Sequence, residues 1–270
     1  MSRYNGRTVL VTGGGSGLGR AMAQAFAAEG AHVCVIGRRQ EALDETVQTI
    51  GADRAFGLSC DVRDPARVQE VIAEVARRTG GLDVLVNNAA GNFIVPSEQL
   101  SPNGFKAVVD IVLGGTFHCS RFAFEELHKR RGCILNIIAA YAWTGEPGAV
   151  HSASAKAGVL AMTRTLAAEW GRFGIRVNAI APGPIHTEGT DKNLWSVGEL
   201  DEAAKAHVPL GRLGEPSDVA RAAVWICSDE AEWVSGAALP VDGAHWLGGG
   251  TLNFRAAYDR AAAAQARQKQ

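Results

Sequence analysis

A glycine-rich segment near the start of the chain constrains the fold more than any other feature. It reads Thr12-Gly13-Gly14-Gly15-Ser16-Gly17-Leu18-Gly19, follows a strand-like run at Thr8–Val11 and opens an alanine-rich helical segment. Its spacing, G-x-x-x-G-x-G, differs from the more common G-x-G-x-x-G, but the physical purpose is the same. A turn without side chains lets backbone N–H groups and a helix N-terminus approach a pyrophosphate. A tight turn without a ligand is the alternative, but the location in a first β-α-β unit favours dinucleotide binding by Gly13, Gly15, Ser16, Gly17 and Leu18.

Six further strand-like runs alternate with longer helical segments along the chain. They are His32–Ile36, Ala55–Cys60, Val84–Val86, Cys133–Ile138, Arg176–Ile180 and Ala238–Val241. This alternation predicts an α/β fold with a single Rossmann-type, doubly wound parallel sheet of about seven strands and helices on both faces. Proline directly after Asp64 and after Glu215 marks two of the helix starts.

The chain shows no internal repeat and no linker-like stretch that would divide its 270 residues. We therefore expect one dinucleotide-binding and catalytic domain at 1–254, followed by an alanine- and arginine-rich tail at 255–270. The segment Pro182–Pro209 is long, irregular and rich in proline and glycine. It is predicted to be a mobile lid over a site.

Charge and cysteine content argue against several kinds of partner. The 27 Lys+Arg and 28 Asp+Glu residues leave a formal charge of −1, so we expect neither nucleic acid nor an anionic membrane as a partner. Five widely separated cysteines without a C-x-x-C motif are typical of buried thiols in a reducing compartment. An immediate first strand and the lack of an apolar run of about 18 residues predict a cytoplasmic location. No metal is expected, because His118, His128, His151 and His186 lack metal-ligand spacing.

The end of the second strand indicates which dinucleotide is used. NAD enzymes usually place an acidic residue there to bind the ribose 2′-hydroxyl. This chain instead reads Ile36-Gly37-Arg38-Arg39. Two cations without an acid suit a 2′-phosphate, so NADPH is predicted over NADH. Solvated surface arginines are the alternative, because arginine is common in loops.

Three more motifs follow the glycine run in a fixed order. They are Cys60-Asp61-Val62, Asn87-Asn88-Ala89-Ala90-Gly91 and Ala181-Pro182-Gly183-Pro184-Ile185. Together the four motifs resemble the short-chain dehydrogenase/reductase family over roughly Arg7 to Gly243. The resemblance implies adenine contacts for Asp61 and Val62, a cofactor-flanking position for Asn87, Ala89 and Gly91, and a place near the nicotinamide for Pro182, Gly183 and Ile185.

The chain departs from that family's usual machinery for carbonyl reduction. Lys156 matches the lysine of the family's Y-x-x-x-K motif and is implied to bind the cofactor, but Ser152 occupies the tyrosine position. The family's usual serine and asparagine are replaced by Ala139 and Val112. Serine is a far poorer acid than a phenol. The chain is therefore either catalytically silent or performs a hydride transfer that does not need that phenol.

A narrower resemblance gives these departures a rationale. The segments Asn88–Phe93, Ile138–Gly145, Ser152–Gly158 and Ala168–Gly171 resemble 2,4-dienoyl-CoA reductases. The resemblance assigns substrate binding to Asn92 and Tyr141, aligns that group's Ser and Lys with Ser152 and Lys156, and suggests Asp110 as an acid, as in peroxisomal members.

The chemistry of a conjugated thioester suits these residues. Hydride added at the far end of the diene sends negative charge to the thioester oxygen, where the Tyr141 hydroxyl and the Asn92 amide would act as an oxyanion-hole-like pair. Water held by Ser152 and Lys156, or the carboxyl of Asp110, would supply the proton. The structural alternatives are packing for Tyr141, a turn for Asn92, a helix cap for Ser152 and a solvated or capping role for Asp110.

The sequence thus predicts an NADP-dependent oxidoreductase that acts on CH–CH bonds. Its expected reaction converts 2,4-dienoyl-CoA to an enoyl-CoA, the 3-enoyl product by resemblance, as an auxiliary step of unsaturated fatty-acid β-oxidation. The expected partner is an acyl-CoA thioester, and the resemblance suggests a homotetramer with interfaces around Phe105–Leu127 and Ala153–Phe173. A reductase of another enone or enoyl thioester and an inactive cofactor-binding relative remain the alternatives.

Overall fold

A parallel sheet forms the centre of the protein, in a computed structural model that describes residues 2–185 and 207–247. Its strands follow the order β3-β2-β1-β4-β5-β6-β7, and every neighbouring pair is parallel. The strands are β1 (Thr8–Thr12), β2 (His32–Gly37), β3 (Ala55–Ser59), β4 (Val84–Asn87), β5 (Cys133–Ile137), β6 (Arg176–Pro182) and β7 (Ala238–Val241). The predicted doubly wound sheet is confirmed, and the strand ends differ from the predicted ones by one or two residues.

Helices follow most strands and cover both faces of the sheet. In the described residues the α-helices are α1 (Gly17–Ala28), α2 (Gln40–Ile50), α3 (Pro65–Thr79), α4 (Pro102–Val109), α5 (Gly115–Arg130), α6 (Tyr141–Thr144), α7 (Val150–Trp170) and α8 (Pro216–Cys227). Both proline-marked helix starts are confirmed. The Asp64 carboxylate accepts hydrogen bonds from the backbone N–H groups of Ala66 and Arg67 at 3.1 Å each, which caps α3.

The core divides into layers because successive strand residues point to opposite faces of the sheet. Val9 and Val11 of β1 pack with α1 and α8, whereas Leu10 belongs to the cluster formed with α3 and α5. Every residue of β1 and β5 is buried, which explains why these strands read as continuous apolar runs. The five cysteines are buried as free thiols, as the sequence predicted.

The strand order places a crevice at one edge of the sheet. The chain runs outward from β1 to β2 and β3, then returns to β4 on the other side of β1. Ligands bind at such a reversal, beyond the carboxyl ends of the strands. The glycine run after β1, the Asn88–Gly91 segment after β4 and the Tyr141 segment after β5 all leave the sheet at this edge.

A long helical stretch, Pro102–Arg130, joins α4 and α5 through one π-helical turn at Asp110–Gly114. By length and composition alone this stretch would be able to cross a membrane, with a mean hydropathy of 1.2 in its most apolar window. The expectation that no segment approaches that limit is therefore wrong on this criterion. The stretch packs against α3 and α7, and burial of residues such as Val112 and Cys119 accounts for part of its apolar character.

Two predicted segments cannot be compared with the structure. Most of the predicted lid, together with His186, and the whole tail at 255–270 lie outside the described residues. The same is true of the predicted domain boundary at 254, which stays a prediction. Within the described ranges, all seven strands belong to one sheet.

Candidate active site

The glycine run forms a turn that only glycines allow at its key positions. Gly13 has a φ of +65°, in the left-handed region that favours glycine. A Cβ on Gly19 would collide with the Gly13 carbonyl oxygen, so α1 approaches this turn too closely for any side chain. The Thr12 hydroxyl accepts hydrogen bonds from the backbone N–H groups of Asn88 and Ala89 at 2.9 Å each. The turn after β1 and the loop after β4 are thereby held together at the crevice.

A cavity of about 150 Å³ opens beside this turn. Predicted cofactor residues that line it are Gly13, Gly15, Ser16, Arg38, Arg39, Asp61, Val62 and Ala89. Of its other lining residues, Gly37, Cys60 and Ala90 lie within the sequence motifs quoted above, whereas Ala42, Leu43 and Ile111 lie outside them. The combination of side-chain-free backbone, a helix N-terminus and cations fits the phosphates of a dinucleotide.

The charged groups around this cavity are two exposed arginines and one paired acid. The Asp61 carboxylate receives hydrogen bonds from Arg63, at 3.0 Å from Nε and 2.6 Å from Nη2, and these bonds lower the pKa of Asp61. The nearby acid is thus already neutralised by its own partner. Arg38 and Arg39 are exposed and form no ion pair within the described residues. Their guanidinium groups remain available to an anionic ligand.

Lys156 lies buried on α7. Its Nζ donates a hydrogen bond to the backbone carbonyl of Ile137, the last residue of β5, at 2.5 Å. Burial lowers the pKa of this lysine to about 8. The ammonium group therefore sits at the edge of the crevice and loses its proton far more readily than a solvated lysine does.

Tyr141 and Ser152 form a direct side-chain contact. The Tyr141 hydroxyl lies 3.0 Å from the Ser152 Oγ, and either group can be the donor. Burial raises the pKa of Tyr141, and the bond to Ser152 partly offsets this, so the phenol keeps its proton at neutral pH. When Ser152 donates to the phenol oxygen, the phenol proton is free to reach a ligand. Ser152 does not cap α7, whose N-cap residue is Ala149, and the packing alternative for Tyr141 is not tested by this bond.

The oxygen and the nitrogen of the Asn92 side-chain amide differ in their hydrogen bonding. Its Oδ1 accepts a hydrogen bond from the backbone N–H of the next residue, Phe93, at 2.9 Å. Its Nδ2 forms no hydrogen bond with any of the described residues. The loop continues to Val95, whose N–H donates to the Gly148 carbonyl at 2.9 Å. The Asn92 loop and the segment leading to Ser152 are therefore in contact.

Asn87 has a more internal position than the resemblance suggested. It is 4% exposed, and its Nδ2 donates to Ser120 Oγ at 3.0 Å and to Asn136 Oδ1 at 2.9 Å. Asn136 in turn donates to Thr163 Oγ1 at 2.9 Å. The Asn87 side chain therefore ties β4 to β5 and α5. Its predicted place beside the cofactor stays a prediction.

The other residues assigned by resemblance lie around the same edge. Pro182 ends β6, and Gly183 follows so closely against Asp242 that a Cβ would lie 2.6 Å from the Asp242 Cα. Ile185 is 8% exposed and pairs with Gly214 in an isolated parallel bridge. These contacts hold the segment after β6 against the residue that follows β7 and against the segment that precedes α8.

Three further predicted residues do not line the cavity. Gly17 opens α1, and the next residue, Leu18, packs against the core. Gly91 is half-buried, and its nearest non-neighbouring contact is the Ile111 side chain. Their predicted contacts with a cofactor are not tested by these positions.

Asp110 occupies the first position of the π-helical turn between α4 and α5. Its carboxylate pairs with the Lys106 ammonium at 2.5 Å, and its side chain is 39% exposed. This ion pair matches the solvated alternative, although π-helical turns often occur at functional sites. A role as the acid stays a prediction.

Comparison with known proteins places this arrangement in a family. A family profile described as enoyl-(acyl carrier protein) reductase matches residues 13–244. A crystal structure of a short chain dehydrogenase from Bacillus anthracis superposes with a TM-score of 0.81 and 45% identity, covering 89% of this chain and 96% of that one. The chain belongs to the short-chain dehydrogenase/reductase family, whose members carry a nicotinamide dinucleotide site on this fold.

Within that family, its relatives include 2,4-dienoyl-CoA reductases. A Bacillus subtilis (strain 168) protein named probable 2,4-dienoyl-CoA reductase, (2E)-enoyl-CoA-producing, is 49% identical over 247 residues, which cover 89% of this chain and 97% of the relative. The peroxisomal 2,4-dienoyl-CoA reductase, (3E)-enoyl-CoA-producing, of Arabidopsis thaliana is 40% identical over 255 residues, 90% of this chain and 85% of the relative.

Proposed function

We propose that this protein reduces 2,4-dienoyl-CoA thioesters with NADPH, as an auxiliary step of unsaturated fatty-acid β-oxidation. The observation that carries the proposal is the Tyr141–Ser152 hydrogen bond of 3.0 Å, in a site that keeps Lys156 but lacks the tyrosine of the family's Y-x-x-x-K motif. The names of the relatives support the same substrate class.

Hydride addition to a dienoyl thioester determines which developing charge the site must stabilise. When bound, the reduced nicotinamide supplies a hydride to the far end of the diene. Electrons then move through the conjugated system onto the thioester oxygen, which gives a dienolate. A neutral phenol at Tyr141 and the unpaired Nδ2 of Asn92 are hydrogen-bond donors of the type that stabilise such an oxyanion. A buried, preorganised donor contributes more here than it would in water.

The dienolate then needs a proton on carbon. We assign this proton to a water held by Ser152 and Lys156, because the lowered lysine pKa, about 8, suits proton exchange near neutral pH. Protonation beside the thioester carbonyl yields the 3-enoyl product, and protonation at the γ-carbon yields the 2-enoyl product. The names of the relatives include both outcomes, and we propose the 3-enoyl product for this chain.

NADPH is proposed over NADH because of the cations at the cavity. Arg38 and Arg39 line the cavity and form no ion pair among the described residues, whereas Asp61 is paired with Arg63. A 2′-phosphate is the feature of NADPH that two free guanidinium groups would recognise.

Assembly and location are part of the same proposal. Exposed Phe105 and Phe117, at 38% and 51%, lie on the α4–α5 stretch, where a homotetramer would bury them. We propose a cytoplasmic homotetramer with neither nucleic acid nor a membrane as a partner. A monomer in light scattering would contradict the assembly.

The decisive experiment offers purified protein 2,4-hexadienoyl-CoA and NADPH and follows both NADPH loss and product structure. A 2-enoyl thioester and a simple ketone serve as parallel substrates. We expect turnover of the dienoyl thioester only. The family profile's description, enoyl-(acyl carrier protein) reductase, favours one second candidate, and turnover of the 2-enoyl thioester alone would support it instead. Tight NADPH binding without turnover of any substrate would indicate an inactive relative.

A further inference from the structure

His151 is a buried imidazole that the mechanism above does not use. It is 0% exposed, and neither ring nitrogen has a hydrogen-bond partner among the residues that the structure describes. Buried polar atoms are nearly always satisfied, so each exception needs an explanation. The position of the imidazole points to a role in the site.

The imidazole packs directly against Phe93. The two ring centroids lie 4.4 Å apart with an interplanar angle of 53°. Burial lowers the pKa of His151, which keeps the ring neutral and suited to an aromatic neighbour, while the backbone of Phe93 acts in the opposite direction. His151 therefore packs directly against the ring of one residue of the Asn92 loop.

That residue controls the orientation of Asn92. The Phe93 N–H holds Asn92 Oδ1 at 2.9 Å, and this bond determines where the free Nδ2 points. Phe93 itself is 38% exposed, and its ring tip also approaches Gly104 at the start of α4. A movement of Phe93 would carry the Asn92 amide with it.

His151 is also joined to the other donor through the chain. The next residue of α7 is Ser152, which contacts the Tyr141 hydroxyl at 3.0 Å. Two adjacent residues of α7 therefore make both contacts. Ser152 bonds to Tyr141, and His151 packs against the Asn92 loop. The two hydrogen-bond donors lie on separate segments, one after β4 and one after β5, and both segments contact the same helix, α7.

We propose that His151 is a positioning residue, whose imidazole holds Phe93 against α7 and so aligns the Asn92 amide with the Tyr141 hydroxyl at the thioester oxygen. The inference rests on the proposed dienoyl thioester reduction. His151 touches neither the substrate nor the cofactor in this assignment. It sets the distance and angle between the Asn92 amide and the Tyr141 hydroxyl. Small displacements of such groups lower the reaction rate strongly.

The test compares His151→Ala, which removes the ring, with His151→Phe, which keeps an aromatic ring against Phe93. With 2,4-hexadienoyl-CoA we expect the alanine variant to lose about 10- to 100-fold in kcat. The KM for NADPH should stay within about twofold, and the phenylalanine variant should recover kcat to within about threefold of wild type. His128→Ala is the matched control, because His128 also packs against phenylalanine rings but lies at the end of α5. It should behave as wild type.

Hydrogen exchange supplies a second readout that needs no substrate. Amides of residues 92–95 should exchange faster in His151→Ala than in wild type, and His151→Phe should restore protection. If the alanine variant does not fold, Phe93→Leu breaks the same ring contact from the other side and should produce the same loss in kcat. Unchanged kcat in both ring-deleting variants, equal loss in the alanine and phenylalanine variants, or unchanged exchange would each overturn the inference. A wild-type protein without dienoyl-CoA turnover would refute the proposed function instead. The hydrogen-exchange comparison would still test whether His151 holds Phe93 in place.

Discussion

Replacement of Tyr141 by phenylalanine separates chemistry from packing at this site. The change removes only the hydroxyl, which lies 3.0 Å from Ser152 Oγ, and leaves the ring in place. If the phenol donates to the developing dienolate, the rate should fall while the fold and the cofactor cavity are retained. If the residue only packs, the rate should change little.

The two effects of the substitution differ in size. Loss of one neutral hydrogen bond, with Ser152 left buried at 1% exposure, should lower the free energy of unfolding by about 1–3 kcal/mol. Loss of an oxyanion donor should lower kcat by about 10²- to 10³-fold, which corresponds to about 2.7–4 kcal/mol in the barrier. The rate effect is therefore large in an enzyme that remains folded and binds NADPH normally.

Tyr4→Phe is the matched control for this experiment. The Tyr4 hydroxyl donates to the Val224 carbonyl at 2.6 Å in the core, and Tyr4 precedes β1 at the opposite edge of the sheet. The control should lose a similar hydrogen bond and a similar amount of stability but keep its kcat. Both variants are measured by thermal unfolding, NADPH titration and turnover of 2,4-hexadienoyl-CoA.

The assay must report on hydride transfer. A kinetic isotope effect with deuterated NADPH identifies conditions under which that step limits the rate. Near-wild-type turnover of Tyr141→Phe under those conditions would refute the donor role. Ser152→Tyr adds a complementary check: it should not create an efficient ketone reductase, since Ala139 and Val112 leave the usual machinery incomplete.

Three further predictions concern the cofactor, the buried lysine and the crevice wall. Replacement of Arg38 and Arg39 by serine should raise the KM for NADPH at least about tenfold and leave the KM for NADH within about threefold, and equal wild-type efficiency with NADH would contradict it. Burial lowers the pKa of Lys156 from 10.5 to about 8, so between those pH values the unfolded apoprotein binds more protons than the folded one. The free energy of unfolding of the wild-type apoprotein, relative to that of Lys156→Met, should therefore rise with pH across that window, by up to about 3 kcal/mol in denaturant unfolding. A difference between the two proteins that does not change with pH would show that the lysine is not desolvated. Gly183→Ala would place a Cβ 2.6 Å from the Asp242 Cα and should cost about 1–3 kcal/mol of stability, so an unchanged melting temperature would argue against this packing.

The path of the chain was largely predictable because local signals repeat along it. Buried parallel strands read as short apolar runs, and three of the seven end in glycine, asparagine or proline, at Gly37, Asn87 and Pro182. The glycine run could be recognised because its backbone must approach a phosphate without side chains. The predicted residues that line the cavity, such as Gly13 and Arg38, occur inside or beside these local motifs.

Other site features depend on residues that are distant in sequence. Ala42 and Leu43 reach the cavity because α2 packs against β2, and Ile111 reaches it from the π-helical turn. The family resemblance assigns Asn87 a position beside the cofactor, but its hydrogen bond to Asn136 on the adjacent strand β5 is not contained in that motif. The ion pair of Asp110 with Lys106 is different, because a four-residue separation on a helix is a local pattern that favours such a pair.

The sequence by itself determined the fold, the cofactor class and the missing phenol, because each depends on the type of residue at one local position. Only the tertiary structure decided that Tyr141 meets Ser152 and that Phe93 meets the unpartnered ring of His151. These contacts join loops from different strands, and their geometry is set by how α7 packs against the sheet. A linear pattern contains the residues of such a contact but not the distance between them.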